Sequence, residues 1–376
     1  MKTIMIDALS ALQGGGQTYL RNLFDCLPAD AEFRVVALVP KRYQRALVEN
    51  PAIRVVSPLA FDNILLRGLW YWWHLKSFTR LWNADVLYCP GGMVSASPID
   101  GCKIAVAFQN MLPFAAEERK RFPFGYIRMR LWLLRYLQGN SFRSADLVIF
   151  ISHYAMSVID VMVSNRRGKS VVIPHGLSDH FRALQARPTD PRLSGDYVLY
   201  VSILMPYKAQ IEVVRAWKQL KAMRQTGEKL ILVGPEYKPY ANRVRALVAE
   251  LGLESDVIFF GNVPYAQLPA YYQHAKVNVF ASSCENCPNI LLEAMAAGRP
   301  ILCSDVQPMP ELARSAAEYF DPYNPAMLAE LLARYLDDAA LREKMGRAAF
   351  DESQRFQWAD SARRTWQALA ALANQI

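Results

Sequence analysis

Two glutamates, Glu285 and Glu293, stand with seven residues between them inside the stretch VFASSCENCPNILLEAMAAGRPILC, residues 279–303. The first lies in a small, polar loop and the second in a run rich in Leu, Ala and Met. A carboxylate accepts hydrogen bonds in pairs. Pro288 suits the first turn of a helix, which leaves the backbone N–H groups of Asn289 and Ile290 without intrahelical acceptors and turned toward an anion such as a phosphate. Two acids flanking an anion site suit a ligand that carries hydroxyls on both sides of a phosphate. Taken alone, the same two acids are equally well an ordinary solvated pair near a helix start.

The elements that must hold these groups follow from the apolar pattern. Val277–Phe280 is an apolar strand, the loop comes next, then a helix, then a second short strand after Pro300. In such a unit the loop lies at the carboxyl end of a parallel strand, where open α/β sheets bind ligands. The same alternation runs through the chain. Thr3–Asp7, Phe33–Val39, Ile53–Ser57, Val86–Cys89, Ile104–Phe108 and Asp146–Ile151 read as strands before residue 180, and Tyr197–Ser202, Lys229–Gly234, Val257–Gly261 and Val277–Phe280 after it. Strands that alternate with helical stretches predict parallel sheets covered by helices on both faces. Ser178–Gly195 contains prolines, a glycine and charges without apolar periodicity, and reads as a linker. The expected organisation is a domain over 1–180, a second over 196–355 and a terminal helix over 356–376.

The 376 residues suffice for two cores, and 52% hydrophobic with 20% charged residues is a globular balance. No run of about 18 apolar residues is present to span a bilayer. The start, MKTIMIDALSALQGGG, lacks the long apolar core and cleavage site of a secretory signal and reads as a strand turning into a glycine loop. Six scattered cysteines suit reduced thiols in a cytoplasmic setting, and the lone Cys284-x-x-Cys287 has no second pair to complete a zinc site. Almost all of the formal net charge of +9 falls within residues 1–180. A basic half can face an anionic membrane, an anionic substrate or nucleic acid. The last is disfavoured, because the cations are interleaved with domain helices and no nucleic-acid motif occurs.

E-x7-E followed by A-M-A-x-G-x-P resembles the signature of family 4 retaining glycosyltransferases of the GT-B fold: two Rossmann-like domains facing a cleft, with a terminal helix crossing back onto the first. The resemblance implies transfer of a hexose from a nucleoside diphosphate sugar, UDP- or GDP-linked, with retained configuration. It implies that Glu285 contacts the donor sugar, Glu293 the ribose, and the loop Asn286, Pro288, Asn289 and Ile290 the diphosphate. Where members carry an Arg at a strand end and a Lys six residues later, this chain has Ser202 and Lys208, so one ammonium balances the diphosphate. Lysine is an adequate point charge for phosphate. Gly14, Gly15 and Gly16 take the place of the glycine-rich loop that lies near the diphosphate, and Gln109 and Asn110 that of a histidine reaching the donor sugar. His175, in IPHGL, takes the place of a hinge residue. No Asp-x-Asp pair occurs, in keeping with a reaction without a metal ion or other cofactor.

Arg121, Arg128 and Arg135 recur every seven residues beside Trp132, Ile127, Leu131 and Leu134, and on one helix they would share a face. A basic amphipathic helix of this composition lies equally well in a membrane interface or over a domain with its arginines in water. Asn63–Trp82 is crowded with Trp70, Tyr71, Trp72, Trp73, Phe78 and Trp82 among Arg67, Lys76 and Arg80, and suits either core or an interfacial surface. The acceptor expected on these grounds is a saccharide, lipid-linked, in cell-surface polysaccharide synthesis of the lipopolysaccharide type, with the protein peripheral on the membrane. A GT-B nucleotide-sugar epimerase and a non-catalytic sugar-nucleotide binder are the alternatives.

Overall fold

In the computed structural model, which describes residues 1–11, 15–58, 61, 63–94, 99 and 101–375, the apolar runs form two parallel sheets. The first comprises β1 (Lys2–Asp7), β2 (Phe33–Leu38), β3 (Ile53–Val56), β4 (Val86–Cys89), β5 (Lys103–Phe108), β6 (Leu147–Phe150) and β7 (Lys169–Val172). Their order is β3-β2-β1-β4-β5-β6-β7. The second comprises β8 (Tyr197–Val201), β9 (Lys229–Val233), β10 (Val257–Gly261), β11 (Val277–Phe280), β12 (Ile301–Ser304) and β13 (Glu318–Phe320), in the order β10-β9-β8-β11-β12-β13. Most strand residues are buried on both faces, which is why they read as continuous apolar runs rather than alternating ones.

In each sheet the strand order reverses beside the first strand, between β1 and β4 and between β8 and β11. At a reversal the two adjacent connections leave in opposite directions and open a crevice at the carboxyl ends. The loops after β8 and β11 therefore flank one crevice, and they are the loops that carry Lys208 and Glu285.

The chain divides into two compact units. One is Met1–Phe114, Phe124–Gly176 and Gln357–Ile376, and the other is Ala115–Pro123 with Leu177–Phe356. This differs from the expected boundaries in two places. Residues 115–123 belong with the second sheet although they lie between β5 and β6 in sequence, and the stretch expected as a linker is part of the second unit. There Gln273 Nε2 donates to the carbonyls of Phe181 and Ala183 at 3.2 and 2.8 Å, and Arg182 donates to those of Ser353 and Phe356 at 2.8 and 2.9 Å. Hydrogen bonds to distant backbone, invisible in a stretch without periodicity, are what order it.

The terminal helix, Trp358–Ala373, packs into the first unit: Trp366 Nε1 donates to the Leu23 carbonyl at 3.0 Å and its ring stacks on Phe33 at 5.6 Å. The first helix begins at Gly15, so Gly15 and Gly16 are helical residues rather than part of the glycine loop expected after the first strand. A β-carbon on Gly16 would sit 3.0 Å from the Ala11 carbonyl oxygen, so the approach of these two segments is close. Gly14 lies outside the described residues.

Gly234, directly after β9, has φ of +141°, and a β-carbon there would press into the carbonyl of Ser202. Gly234→Ala should lower unfolding free energy by about 2 kcal/mol or more, since it adds strain to a forbidden backbone conformation. Urea titration showing a change below about 0.5 kcal/mol would contradict this close approach of the β8 and β9 ends.

Candidate active site

Beyond β8 the chain runs through Ser202 and Leu204 into a 3-10 turn, Pro206–Lys208, and enters the helix Gln210–Met223 through Ala209. Two contacts hold the turn from the β9 side: the amides of Ser202 and Leu204 donate to the carbonyls of Val233 and Pro235 at 2.8 and 2.9 Å. Tyr200 Oη, buried in the sheet, donates to the Lys208 carbonyl at 2.7 Å. Ala209 is fully buried and has φ of +52°, a left-handed conformation costing a residue with a β-carbon about 1 kcal/mol or more. That strain is tolerated where packing over-determines the backbone, and it aims Lys208 inward.

Lys208 is 5% exposed, so it is not the solvated lysine that a helix start would ordinarily have. Its Nζ pairs with Glu285 Oε1 and lies 5.1 Å from the Tyr207 ring centroid and 5.6 Å from that of Phe280. The Glu285 loop is tied to the same turn. The Tyr207 carbonyl accepts from the Ser283 amide at 2.8 Å, the Ser283 hydroxyl at 3.1 Å and the Ser282 hydroxyl at 3.3 Å. The loops after β8 and β11 are thus joined by backbone bonds and an ion pair together. Cys284 and Cys287 are buried free thiols in this loop, and burial pushes the Cys284 thiol well up from its ordinary range.

The helix opens at Asn289, one residue later than the proline reading expects. Pro288 is its N-cap, with φ −73° and ψ 112°, and the amides of Leu291 and Leu292 bond back to the Pro288 carbonyl at 3.0 and 3.4 Å. Proline at the cap removes a donor and leaves Asn289 and Ile290 as the first two helical residues. Asn286 is buried in the loop before them.

Glu293 has a different environment from Glu285. It is 3% exposed, with Oε1 accepting from Tyr265 Oη at 3.1 Å and Oε2 from Tyr272 Oη at 3.4 Å. Burial without a cation pushes its carboxyl up to about 7, an effect the two hydroxyl bonds only partly offset. Tyr265 is itself 45% exposed and packs against Phe181 at 5.2 Å and His180 at 5.4 Å. Neither tyrosine stands out in the sequence, although their spacing of seven on a turn followed by a short helix puts both hydroxyls on the Glu293 side.

Ser202 is buried, and its hydroxyl donates to the Ile203 carbonyl at 3.3 Å, a local bond that leaves no cation at the place where relatives are expected to carry arginine. In the first unit, Asn110 is exposed directly after β5, its Oδ1 accepting from the Leu112 amide at 3.2 Å, and Gln109 is partly buried beside it. His175 is buried, its ring 5.6 Å from Tyr19 and 5.4 Å from Trp358. Gly15, Gly16 and Asn110 belong to one unit and Lys208, Ser202, Glu285, Asn286, Asn289, Ile290 and Glu293 to the other. Among the described residues no group of three or more His, Cys, Asp or Glu side chains could hold a metal ion.

Two parallel, Rossmann-like sheets of seven and six strands are the layout of the GT-B fold. Residues 13–181 match the profile of Glycosyltransferase Family 4 and residues 183–352 that of Glycosyl transferases group 1, and the chain belongs to this family. It is 31% identical over 174 residues, 44% of its length, to a D-inositol 3-phosphate glycosyltransferase of Acidothermus cellulolyticus, covering 39% of that protein. To O-antigen chain mannosyltransferase B of Escherichia coli it is 26% identical over 245 residues, covering 62% of this chain and 63% of that one. The matched regions thus span less than two thirds of these relatives. Its fold superposes on sucrose-phosphate synthase from Thermosynechococcus elongatus with a TM-score of 0.78 at 20% identity, covering both chains in full. It superposes on Anabaena Alr3699/HepE in complex with UDP-glucose with a TM-score of 0.72 at 18% identity, covering 99% of this chain and 100% of that one.

The Glu293 environment carries a pH signature. A carboxyl whose pKa rises from 4.5 to about 7 on folding binds a proton more tightly in the native state. Its contribution is full below pH 4.5 and is lost as pH rises through 7, at up to about 1.4 kcal/mol per pH unit. Relative to Glu293→Gln, the wild type should therefore lose stability between about pH 5 and pH 7 and level off above. Equal stability of the two proteins across that window, measured by denaturant titration at each pH, would rule out the raised carboxyl.

Proposed function

We propose that this glycosyltransferase moves a hexose from a UDP- or GDP-linked sugar to a lipid-linked saccharide acceptor in cell-surface polysaccharide synthesis, with the anomeric configuration retained. The observation that carries the reading is the pair of buried Lys208 and partly buried Glu285 at the β8/β11 reversal, beside the first turn of the Asn289–Ala296 helix. Support for the donor class comes from the UDP-glucose complex of a structural neighbour, and for the acceptor class from the O-antigen relative.

In this reading the anomeric carbon–oxygen bond to the diphosphate breaks while a bond to the acceptor oxygen forms on the same face of the sugar. The acceptor's proton passes to the departing diphosphate. Negative charge grows on the diphosphate as that bond breaks, and donors already in place there lower the barrier. Lys208 supplies the point charge, and the Asn289 and Ile290 amides with the positive end of their helix add to it. Glu285 holds the ammonium in position before the donor arrives and accepts from a sugar hydroxyl afterwards. Glu293 accepts from the ribose hydroxyls in place of Tyr265. No metal ion or other cofactor takes part, and initial rates should be unchanged by EDTA.

Removing Lys208 alone leaves the partly buried Glu285 carboxylate without its cation, which costs up to about 3 kcal/mol. The test therefore uses Lys208→Ala together with Lys208→Ala/Glu285→Gln. Both should lose transfer at least about 100-fold, with the double variant folded as stably as the wild type. A double variant that transfers sugar at the wild-type rate would refute the role of Lys208. Glu293→Ala should raise donor KM more than it lowers kcat, because a ribose contact is made equally in the ground and transition states. A collapsed kcat at unchanged KM would contradict it.

Membrane association is part of the same proposal, and the helix Tyr126–Ser144 supports it in a different way from the heptad of arginines. Arg121 lies outside that helix and belongs to the second unit, so the three arginines do not share a face. Leu131, Gln138 and Phe142 face the domain core, whereas Tyr126, Met129, Trp132, Leu133, Tyr136 and Leu137 are exposed on the outer side. Phe124 just before the helix is exposed as well. Such a continuous apolar face, set in the basic half of the chain, suits the interfacial layer of an anionic bilayer. Sedimentation with anionic liposomes should pull down the protein, and doubling Trp132→Ala with Met129→Ser should abolish it. No co-sedimentation of the wild type at low salt would remove this part of the proposal. None of the described helices is long and apolar enough to cross a membrane.

A further inference from the structure

The chain leaves the first unit at Phe114, gives residues 115–123 to the second, and returns at Phe124. Such a detour needs a reason, because each crossing orders backbone that could have stayed in a short loop. Phe122, 1% exposed, anchors the strap with its ring 6.1 Å from that of Tyr237. An anchor alone would call for apolar residues, yet the strap also carries a buried acid and an arginine. Glu118 is 7% exposed and accepts from Tyr323 Oη at 2.6 Å, and Arg121 Nε lies 3.1 Å from its other carboxylate oxygen. The guanidinium lies 4.3 Å from the Tyr323 ring centroid, and Arg121 Nη1 donates to the Pro206 carbonyl at 3.4 Å.

These contacts end on both loops of the candidate site. Pro206 opens the turn that ends in Lys208. The Tyr323 hydroxyl is within hydrogen-bond reach of the Ser283 side chain, and Glu118 is near enough to Cys284 for its charge to act on that thiol. Ser283 in turn bonds the Tyr207 carbonyl through its amide and its hydroxyl. One arm of the strap thus bonds the Lys208 turn directly and the other reaches the Glu285 loop through Tyr323.

We propose that Glu118 and Arg121, acting with Tyr323, are positioning residues that set the Lys208 ammonium and the Glu285 carboxylate at the departing diphosphate. The inference rests on the donor-site reading given above. Glu118 is enclosed and already engaged by Tyr323 and Arg121, so it acts through the two loops rather than on substrate. Charge-assisted hydrogen bonds and a cation over an aromatic face have the directionality this needs, where apolar packing does not. A displacement of about 1 Å at a reacting group can cost about 100-fold in rate, so the effect belongs in kcat.

The test compares Arg121→Ala, Arg121→Lys, Glu118→Ala, Tyr323→Phe and Phe122→Ala in the full chain, with Lys208→Ala/Glu285→Gln in the same transfer assay. Arg121→Ala and Glu118→Ala should lower kcat about 10- to 100-fold, while affinity for UDP or GDP, measured by calorimetry, changes less than about threefold. Arg121→Lys should recover part of the loss, because an ammonium can still sit over the Tyr323 ring. If Glu118→Ala does not fold, Tyr323→Phe removes the same hydrogen bond and keeps the ring. Should Phe122→Ala lower kcat as much as Arg121→Ala, or should every strap variant lose melting temperature without losing kcat, the strap is packing and the inference is overturned. Should the Lys208/Glu285 double variant be inactive and the Arg121 and Glu118 variants run at the wild-type rate, the strap inference fails while the donor-site reading stands. A fully active double variant overturns both.

Discussion

An ammonium group kept out of water beside a carboxylate is the constraint on which the second unit's site depends. Bringing Lys208 and Glu285 out of solvent costs each its hydration, and their mutual attraction returns that only if the two loops hold them in one geometry. The structure meets the condition with backbone rather than with side chains alone. Three donors from Ser282 and Ser283 converge on the Tyr207 carbonyl, Tyr200 holds the Lys208 carbonyl, and Ala209 is kept left-handed so that the turn points inward. The cation is therefore in place before any ligand arrives. An anion entering the crevice would exchange one partner of an existing pair and need not order a flexible lysine, whose free side chain carries about 2 kcal/mol of rotamer entropy.

The two glutamates of one short motif work in opposite electrostatic regimes. Glu285 faces a cation and Glu293 faces two neutral phenols, so burial acts on them differently even though both belong to the same loop and helix. A carboxyl pushed up to about 7 is half neutral near physiological pH, and hydroxyl donors from a ribose would favour its charged form just as the tyrosines do. The same local chemistry explains the place of Tyr265, a half-exposed residue whose hydroxyl donates to a buried carboxylate that must otherwise meet water or ligand.

Much of this was legible in the residues. Parallel strands buried on both faces read as apolar runs, so the two sheets, the places of Lys208 and Glu285 in loops that follow strands and that of Glu293 in the next helix follow from pattern and spacing. The helix starts one residue after Pro288 because proline serves at either the cap or the first turn, and the first helix begins sooner than its glycines suggest because glycine adopts helical angles as well as loop ones, with Gly16 close against Ala11. The heptad of Arg121, Arg128 and Arg135 misled for a plain reason. Periodicity assumes one continuous helix, and the break at Pro123 to Gly125 places Arg121 on a separate strap. On the helix itself the outward face proved apolar, since the spacing of arginines says nothing about which side the core occupies.

Strand periodicity and the acid spacing are local properties, written into stretches of a few tens of residues, and they carry the fold class and the identity of the charged groups, whereas the reversal of strand order comes from pairings such as β1 with β4 and β8 with β11 that join distant strands. Glu118 meeting Tyr323 across 205 positions, or Arg121 meeting Pro206 across 85, leaves no trace in any window of that length. Nor does the difference between a lysine in water and one sealed against a glutamate. Those depend on desolvation and on hydrogen-bond partners, and both are set by which distant segments the fold stacks around a side chain.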